Sequence, residues 1–188
     1  MKEYGVGVIG YGFMGKTHCY GYQTLPFYYP DMPFKIKLVG VCNTTLSKAE
    51  KAKDLLGFSY ATSNADDIFN DPNIQIVNIC TPNVYHKDMV IKAIKAGKHV
   101  YCDKPFVMNY AEAEEVIALA KEHHVTAQIA LQNRFYPMIM NAKLLIDEGR
   151  LGKITSFRGI FLHASNVNPN KKIGWRHQSA LGGGGVLF

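Results

Sequence analysis

The sequence has no apolar run of the ~18 residues that a membrane-spanning helix requires, so no transmembrane segment is expected. Its beginning, Met1-Lys2-Glu3-Tyr4, passes straight into Gly5-Val6-Gly7-Val8-Ile9 and lacks the regions of a secretory signal. Cysteine is sparse: Cys19, Cys42, Cys80 and Cys102 show no CxxC spacing. That argues against a disulfide framework and against structural zinc; no metal is expected. Three of the four end strand-like runs, where a free thiol behaves as a small apolar residue. The setting expected is reducing and cytoplasmic. No basic cluster is interleaved with aromatics, although the net charge is +6. The lysines are dispersed, with Lys48, Lys51 and Lys53 on one expected helix and Lys92 and Lys95 on another. They read as solvated helix faces, and no nucleic-acid partner is expected. There is no internal repeat and no low-complexity tract apart from the glycine run 182–185.

What the chain does contain is enough apolar material, 47% of 188 residues, for one good core and part of a second. Strand-like and helix-like segments alternate, which points to βαβ units and a parallel sheet. Strands are expected at residues 4–9, 36–42, 74–80, 98–101 and 126–131, with a short one at 60–61. Helices are expected at residues 14–24, 48–56, 64–69, 85–96 and 110–123. Ser47 is placed to cap the helix from Lys48, with Glu50 as capping-box partner, and Gly57 to stop it. The segment 25–34, rich in Pro, Tyr and Phe, reads as an inserted loop. Its aromatics Phe27, Tyr28 and Tyr29 fit either the rim of a nucleotide site or a contact between subunits. Beyond residue 131 the rhythm changes to a helix at 138–146, ended by Gly149, and an alternating strand at 154–162. The expected fold class is α/β: a Rossmann-type doubly wound parallel sheet over residues 1–131, followed by a second domain that begins at 132.

Gly10-Tyr11-Gly12-Phe13-Met14-Gly15 matches G-x-G-x-x-G after an apolar strand and at the opening of a helix. The first glycine permits a tight turn and the second lets backbone approach a pyrophosphate. The third lets helix and strand pack closely. The helix N-terminus then offers free N–H groups to an anion. An acid closing the second strand favours NAD, and a basic residue nearby accommodates NADP. Here the position holds Asn43, followed by Thr44, Thr45 and Lys48. Asn43 bonds a ribose hydroxyl without repelling a phosphate, which leans toward NADP or dual use. It lies further past Gly15 than the usual ~20 residues, and the 25–34 insertion accounts for the excess. A plain turn-capping role fits Asn43 equally well.

Two further clusters follow strand ends. Thr81-Pro82-Asn83-Val84-Tyr85-His86 turns the fourth strand toward the nucleotide, with Asn83 placed to cap the next helix. Capping and helix packing also account for Asn83 and His86. Cys102-Asp103-Lys104-Pro105 follows the fifth strand. In open α/β sheets ligands lie beyond the carboxyl ends of the strands. Proline fixes one torsion and pushes the preceding residue toward extended geometry, so Lys104 rides on a stiff backbone.

The glycine loop, Thr81-Pro82-Asn83-x-x-His86 and Ala96-Gly97-Lys98-His99-Val100-x-Cys102-Asp103-Lys104-Pro105 occur in order and in spacing. They continue in Asn133-Arg134-Phe135-x-Pro137, Leu145-Ile146-Asp147-Glu148-Gly149, Gly174-Trp175-Arg176 and Gly182-Gly183-Gly184. Together they resemble the glucose–fructose oxidoreductase / inositol dehydrogenase / rhizopine-catabolism (Gfo/Idh/MocA) family. The family more often has Glu-Lys-Pro; Asp103 keeps the charge on a shorter arm. The resemblance implies a two-domain NAD(P)-dependent oxidoreductase acting on sugars, inositols or related polyols. Its second, α+β domain carries a mostly antiparallel sheet that covers the nicotinamide and often makes the homo-oligomer interface. It implies that Lys104 is catalytic, contacting the substrate hydroxyl and relaying its proton. The cofactor-binding set it implies is Gly10, Tyr11, Gly12, Phe13, Met14, Gly15, Asn43, Thr44, Thr81, Pro82, Asn83, His86, Asp103, Lys104, Asn133, Trp175 and Arg176.

The family pattern continues past its Gly-Gly-Gly into a segment with an Asp and then a His that share the catalysis. The chain is therefore expected to be part of a longer protein, with those groups beyond Phe188. His163 and His177 are expected to be structural or exposed. Two other function classes compete. A non-catalytic dinucleotide sensor or scaffold has little need of Lys104 or Trp175-Arg176. A methyltransferase using S-adenosylmethionine would prefer a more acidic glycine loop.

Overall fold

The computed structural model describes residues 1–160, 162, 164, 167–172 and 174–183, with Arg176 described by its backbone alone. It divides into two compact units. One comprises Met1–Ala130 and the segment beginning at Trp175; the other comprises Leu131–Gly174.

The first unit is a doubly wound sheet. Six parallel strands, β1 (Lys2–Ile9), β2 (Phe34–Cys42), β3 (Tyr60–Thr62), β4 (Ile76–Ile79), β5 (His99–Cys102) and β6 (Ala127–Ile129), lie in the order β3-β2-β1-β4-β5-β6. The chain winds outward one way through β3, then returns to the centre and winds the other way from β4. The reversal falls between β1 and β4, where such sheets open a crevice at their carboxyl ends. Helices α1 (Phe13–Tyr28), α2 (Leu46–Leu56), α3 (Ala65–Asn70), α4 (His86–Lys95) and α5 (Tyr110–Glu122) make the crossovers. The central strands are buried on both faces, so they read as continuous apolar runs. Val6 and Val8 pack with Val41, Cys19 of α1 and Ala49 and Ala52 of α2. Ile9, Val77 and Ile79 pack on the other side with Ile68 of α3 and Val90 and Ile94 of α4.

Local chemistry sets the ends of the helices. Gly57 (φ 75°) and Gly97 (φ 70°) take the left-handed conformation that stops α2 and α4. Asn109 accepts from the amide of Glu112 at 3.0 Å, while Glu112 accepts from the amide of Met108 at 2.9 Å, which fixes the start of α5.

Several expectations shift. α1 continues to Tyr28, through Pro26, so only the residues after it form the loop before β2. A proline this late in a helix forfeits one hydrogen bond in the final turn, and the Tyr29 amide still reaches Leu25 O at 2.9 Å. Phe27, Tyr28 and Tyr29 are exposed at this end of α1. Ser47 lies inside α2 rather than capping it; the amide of Thr45 donates to Asn43 Oδ1 at 3.0 Å, an Asx turn that begins the helix two residues earlier. Asn83 opens a 3-10 turn (Asn83–Tyr85) and does not cap α4. β5 begins at His99; the Lys98 amide donates to Ala93 O at 2.9 Å, and Lys98 Nζ donates to the carbonyls of Asp71 and Ile74 at 2.7 and 2.8 Å.

The second unit holds a 3-10 turn (Gln132–Phe135) and helix α6 (Pro137–Asp147), with an ion pair between Lys143 and Asp147. Gly149 (φ 69°) follows it. Residues 154–160 form no strand. A ladder needs a partner to exchange hydrogen bonds with, and no described residue pairs with this segment. The last residues of that expectation include Phe161, and His163 follows; both lie outside the described residues.

Candidate dinucleotide site

The carboxyl ends of β1, β2, β4 and β5 converge on a cleft of about 400 Å³ in the first unit. Four strand exits contribute adjacent pairs to its lining: Ile9–Gly10, Cys42–Asn43, Cys80–Thr81 and Asp103–Lys104. Ladder bonds fix the exits relative to one another. The Gly10 amide donates to Cys42 O at 2.9 Å, Cys80 to Ile9 O at 2.8 Å and Asp103 to Ile79 O at 2.9 Å.

The glycine loop has a physical reason at each position. Gly10 sits at φ 93°, and a Cβ there would lie 2.6 Å from Cys80 O. A Cβ on Gly15 would lie 2.1 Å from Gly10 O, so α1 can approach β1 only with glycine there. At Gly12 a Cβ would meet nothing within 4 Å. Gly12 therefore faces space the protein leaves open, at the N-terminus of α1, where backbone N–H groups lack partners. Phe13 and Met14 also line the cleft; Phe13 is 78% exposed. Tyr11 does not line it; its ring is half-buried beside the α1–α2 face, with Lys16 Nζ 5.8 Å from the ring centre.

At one end of the cleft stand Asn43, Thr44, Lys48, Ser63 and Ala65. Among the lining residues the only carboxylate is Asp103, on a different strand exit. Asn43 Oδ1 is engaged by the Thr45 amide, so this side chain serves as the turn cap and lines the cleft as well. The Thr81 hydroxyl oxygen is buried and has no hydrogen-bond partner among the described residues. An unpaired buried hydroxyl costs free energy, and one beside an open cleft is set to bond a ligand. The orphaned Thr81 hydroxyl, the open face of Gly12 and the helix N-terminus together fit a dinucleotide pyrophosphate.

Asp103 is buried, and its Oδ1 accepts from the amide of Lys104 at 2.8 Å. This holds the backbone of Lys104 at the cleft, and the Lys104–Pro105 bond is cis. Trp175, half-buried in a 3-10 turn (Trp175–His177), also lines the cleft. Asn83 is buried and donates from Nδ2 to Gly182 O at 2.9 Å, in α7 (Ser179–Gly182).

Two other expected site residues do not line the cleft. His86 is fully buried, with both ring nitrogens on backbone carbonyls. Gly15 is buried behind the loop. Asn133 is exposed in the second unit. The side chain of Arg176 lies outside the described residues. Ser63, Ala65 and Met89 line the cleft without having been expected there, and Lys48, singled out beside Asn43, lines it too. Ser63 directly follows β3, so the strand-end rule that picks out Asn43 would also have found it. Lys48 lies in the first turn of α2, a turn past Asn43.

Two thiols, Cys42 and Cys80, line the cleft. Burial pushes Cys80 up to about 12 and Cys42 to about 11, the latter also through the Asp67 carboxylate. They are protonated spectators rather than nucleophiles. Asn78, fully buried on β4, bonds His18 Nδ1 (2.9 Å) and accepts from the Tyr22 hydroxyl (3.1 Å), tying α1 to the sheet below the glycine loop. Among the described residues no cluster of His, Cys, Asp or Glu could hold a metal ion, and no helix is long and apolar enough to cross a membrane.

Comparison with known proteins accords with this arrangement. Residues 4–131 match the family model described as the oxidoreductase family with an NAD-binding Rossmann fold, GFO_IDH_MocA. The levoglucosan dehydrogenase of Pseudarthrobacter phenanthrenivorans is 36% identical over 100% of this chain and 48% of its own length. The scyllo-inositol 2-dehydrogenase (NAD(+)) of Bacillus subtilis is 32% identical over 81% of this chain and 42% of its own. A solved structure of levoglucosan dehydrogenase with NADH and levoglucosan superimposes with a TM-score of 0.92 at 34% identity. It covers 97% of this chain and 49% of that one. The chain thus spans about half the length of the relatives it matches. On this evidence, the chain belongs to the Gfo/Idh/MocA family of NAD-binding Rossmann-fold oxidoreductases.

Proposed function

We propose that the protein is an NAD(P)-dependent oxidoreductase that transfers hydride between a nicotinamide and a hydroxyl- or carbonyl-bearing carbon of a sugar, inositol or related polyol. The observation that carries this reading is the presence of Lys104 and Asp103 in the same cleft as Gly10 and Gly12. Support comes from relatives named as levoglucosan and inositol dehydrogenases, and from a levoglucosan dehydrogenase solved with NADH.

A bound nicotinamide supplies the hydride acceptor or donor. The residues of this chain do the rest. The backbone of Gly10–Gly15 and the N-terminus of α1 take the pyrophosphate. Thr81 gives its orphaned hydroxyl to the ligand, and Pro82 holds that loop against it. Asn43 and Thr44 take the adenosine ribose. Lys48 lies within the same end of the cleft and balances a phosphate there, which supports NADP or dual use. Trp175 closes one wall. Asp103 fixes the backbone of Lys104, whose amine takes the proton of the substrate hydroxyl as the carbon is oxidised and returns it in reduction. Asn133 and Arg176 join this set through the family motif.

Residues 1–131 act as the dinucleotide-binding domain, and 132–188 as the start of the domain that selects substrate. The protein works in the cytoplasm, as a homo-oligomer at full length. Fluorescence titration with NADH and NADPH, followed by a sugar and polyol panel at full natural length, tests the proposal. Saturable binding of either nucleotide with reduction of the oxidised form by a polyol is expected. Binding without turnover on any member of the panel would leave a dinucleotide sensor instead.

A further inference from the structure

His86 opens α4 and is 0% exposed. Its Nδ1 lies 2.6 Å from Pro105 O and its Nε2 lies 2.7 Å from Thr81 O. A carbonyl oxygen only accepts, so a ring that satisfies both carbonyls carries a hydrogen on each nitrogen and is the imidazolium cation. The two carbonyls belong to the two loops that wall the cleft. Thr81 lies just past β4, and Pro105 follows Lys104 just past β5. The ladder bonds that hold these strands together end at Asp103, so beyond it the two loops need another tie.

We infer that His86 is a positioning residue: a buried two-donor brace that fixes the Lys104–Pro105 loop against the Thr81–Pro82 loop. The inference rests on the reading of Lys104 as the group that carries the substrate's proton. His86 does not line the cleft and acts only through its neighbours. No uncharged side chain replaces it. A glutamine carries both N–H bonds on one nitrogen, so it reaches one carbonyl and turns its own oxygen on the other. The loop bearing Lys104 is then free to shift, and a displacement of ~1 Å at a reacting group costs about 10²-fold in rate.

Two measurements test this. Magnetic resonance of the chain with isotope-labelled histidine counts ring hydrogens directly. Two slowly exchanging ring N–H signals are expected for residue 86, both absent from His86→Gln; one ring N–H overturns the brace whatever the protein catalyses. At full natural length, His86→Gln is expected to lower kcat about 10²-fold while the Kd for NADH moves less than about threefold. Imidazole added to His86→Ala is expected to restore part of the lost kcat. An unchanged kcat overturns the positioning role, and so does a loss of NADH binding that parallels the loss of kcat. Should His86→Ala fail to fold, His86→Gln and the wild-type ring signals still decide. A wild type that binds NADH but turns over no polyol refutes the hydride-transfer reading, and the ring signals judge the brace independently.

Discussion

The side chain of Asn83 donates from Nδ2 to the carbonyl of Gly182 at 2.9 Å, joining residues 99 positions apart. Asn83 is buried, so the pair is shielded from water. One hydrogen bond thus anchors the segment that carries Trp175 into the wall of the cleft. Removing the donor leaves a buried carbonyl unpaired, at a cost of about 1–3 kcal/mol. Asn83→Asp is worse than Asn83→Ala because it sets a carboxylate against the carbonyl. Both variants are expected to lower the melting temperature and to speed amide exchange in residues 175–183, with Asp the larger effect. Unchanged exchange there would show that the segment is held by other contacts.

Gly10 and Gly12 separate two kinds of constraint within one motif. Alanine at Gly10 meets both a left-handed backbone and Cys80 O at 2.6 Å, so the fold itself resists it. Alanine at Gly12 meets no protein atom within 4 Å and intrudes only on the ligand's space. Gly10→Ala is expected to destabilise the chain by more than ~1–2 kcal/mol and to lose nucleotide binding with it. Gly12→Ala is expected to change stability by no more than ~0.5 kcal/mol yet weaken NADH binding at least about tenfold. Thermal melts and NADH fluorescence on the same samples separate the two; a Gly12→Ala protein that binds NADH normally would move the pyrophosphate away from this loop.

The contrast also explains which features were legible in the sequence. Gly10, Gly57 and Gly97 declare backbone shapes that few other residues adopt, so the glycine loop and the ends of α2 and α4 could be placed in advance. The β-branched runs of the central strands and the position of Lys104 after one of them were legible for the same local reason. Features decided by distant partners were not. Asn83 looked like a cap because its neighbours suit one, but its partner lies in α7. His86 carries a ligand-like side chain that the fold turns onto two carbonyls. Pro26 breaks a helix by rule, yet in a final turn it forfeits only one bond. The alternation over 154–160 is that of a strand, but a strand also needs a partner. Met89 reaches the cleft from a helix, where strand ends gave no hint of it.

The buried thiols give the fold an alkaline weakness. Cys19, fully buried between α1 and the sheet, is pushed from 9.0 up to about 12 by burial, and Cys80 likewise to about 12. A value raised in the folded state means that the unfolded chain loses its proton first. The stabilisation is therefore complete below about pH 9 and is lost progressively as pH rises toward about 12. Each such thiol steepens the loss by about 1.4 kcal/mol per pH unit at full slope. Lys98, lowered by burial, works in the opposite sense over the alkaline range, so the comparison must be made between variants. Denaturation midpoints for wild type and Cys19→Ala across pH 8–11 are expected to converge as pH rises, because the variant lacks one titrating thiol. Parallel curves would remove Cys19 from the linkage.

The reading of Lys104 as a proton carrier, rather than as a positive charge, is open to a direct test. Its backbone is set by the Asp103 carboxylate at 2.8 Å, so substitution of its side chain leaves that anchor in place. Lys104→Ala at full natural length is expected to reduce turnover of a polyol by about 10²–10⁴-fold, the usual worth of a positioned acid–base group. The Kd for NADH is expected to change by less than about threefold, since the pyrophosphate and ribose contacts lie on other loops. Lys104→Arg discriminates further, because arginine keeps the charge but does not give up its proton. An arginine variant as impaired as the alanine variant supports proton transfer by Lys104. One that retains most of the turnover shows that only the charge is needed, and an alanine variant with normal turnover places the proton transfer on another residue.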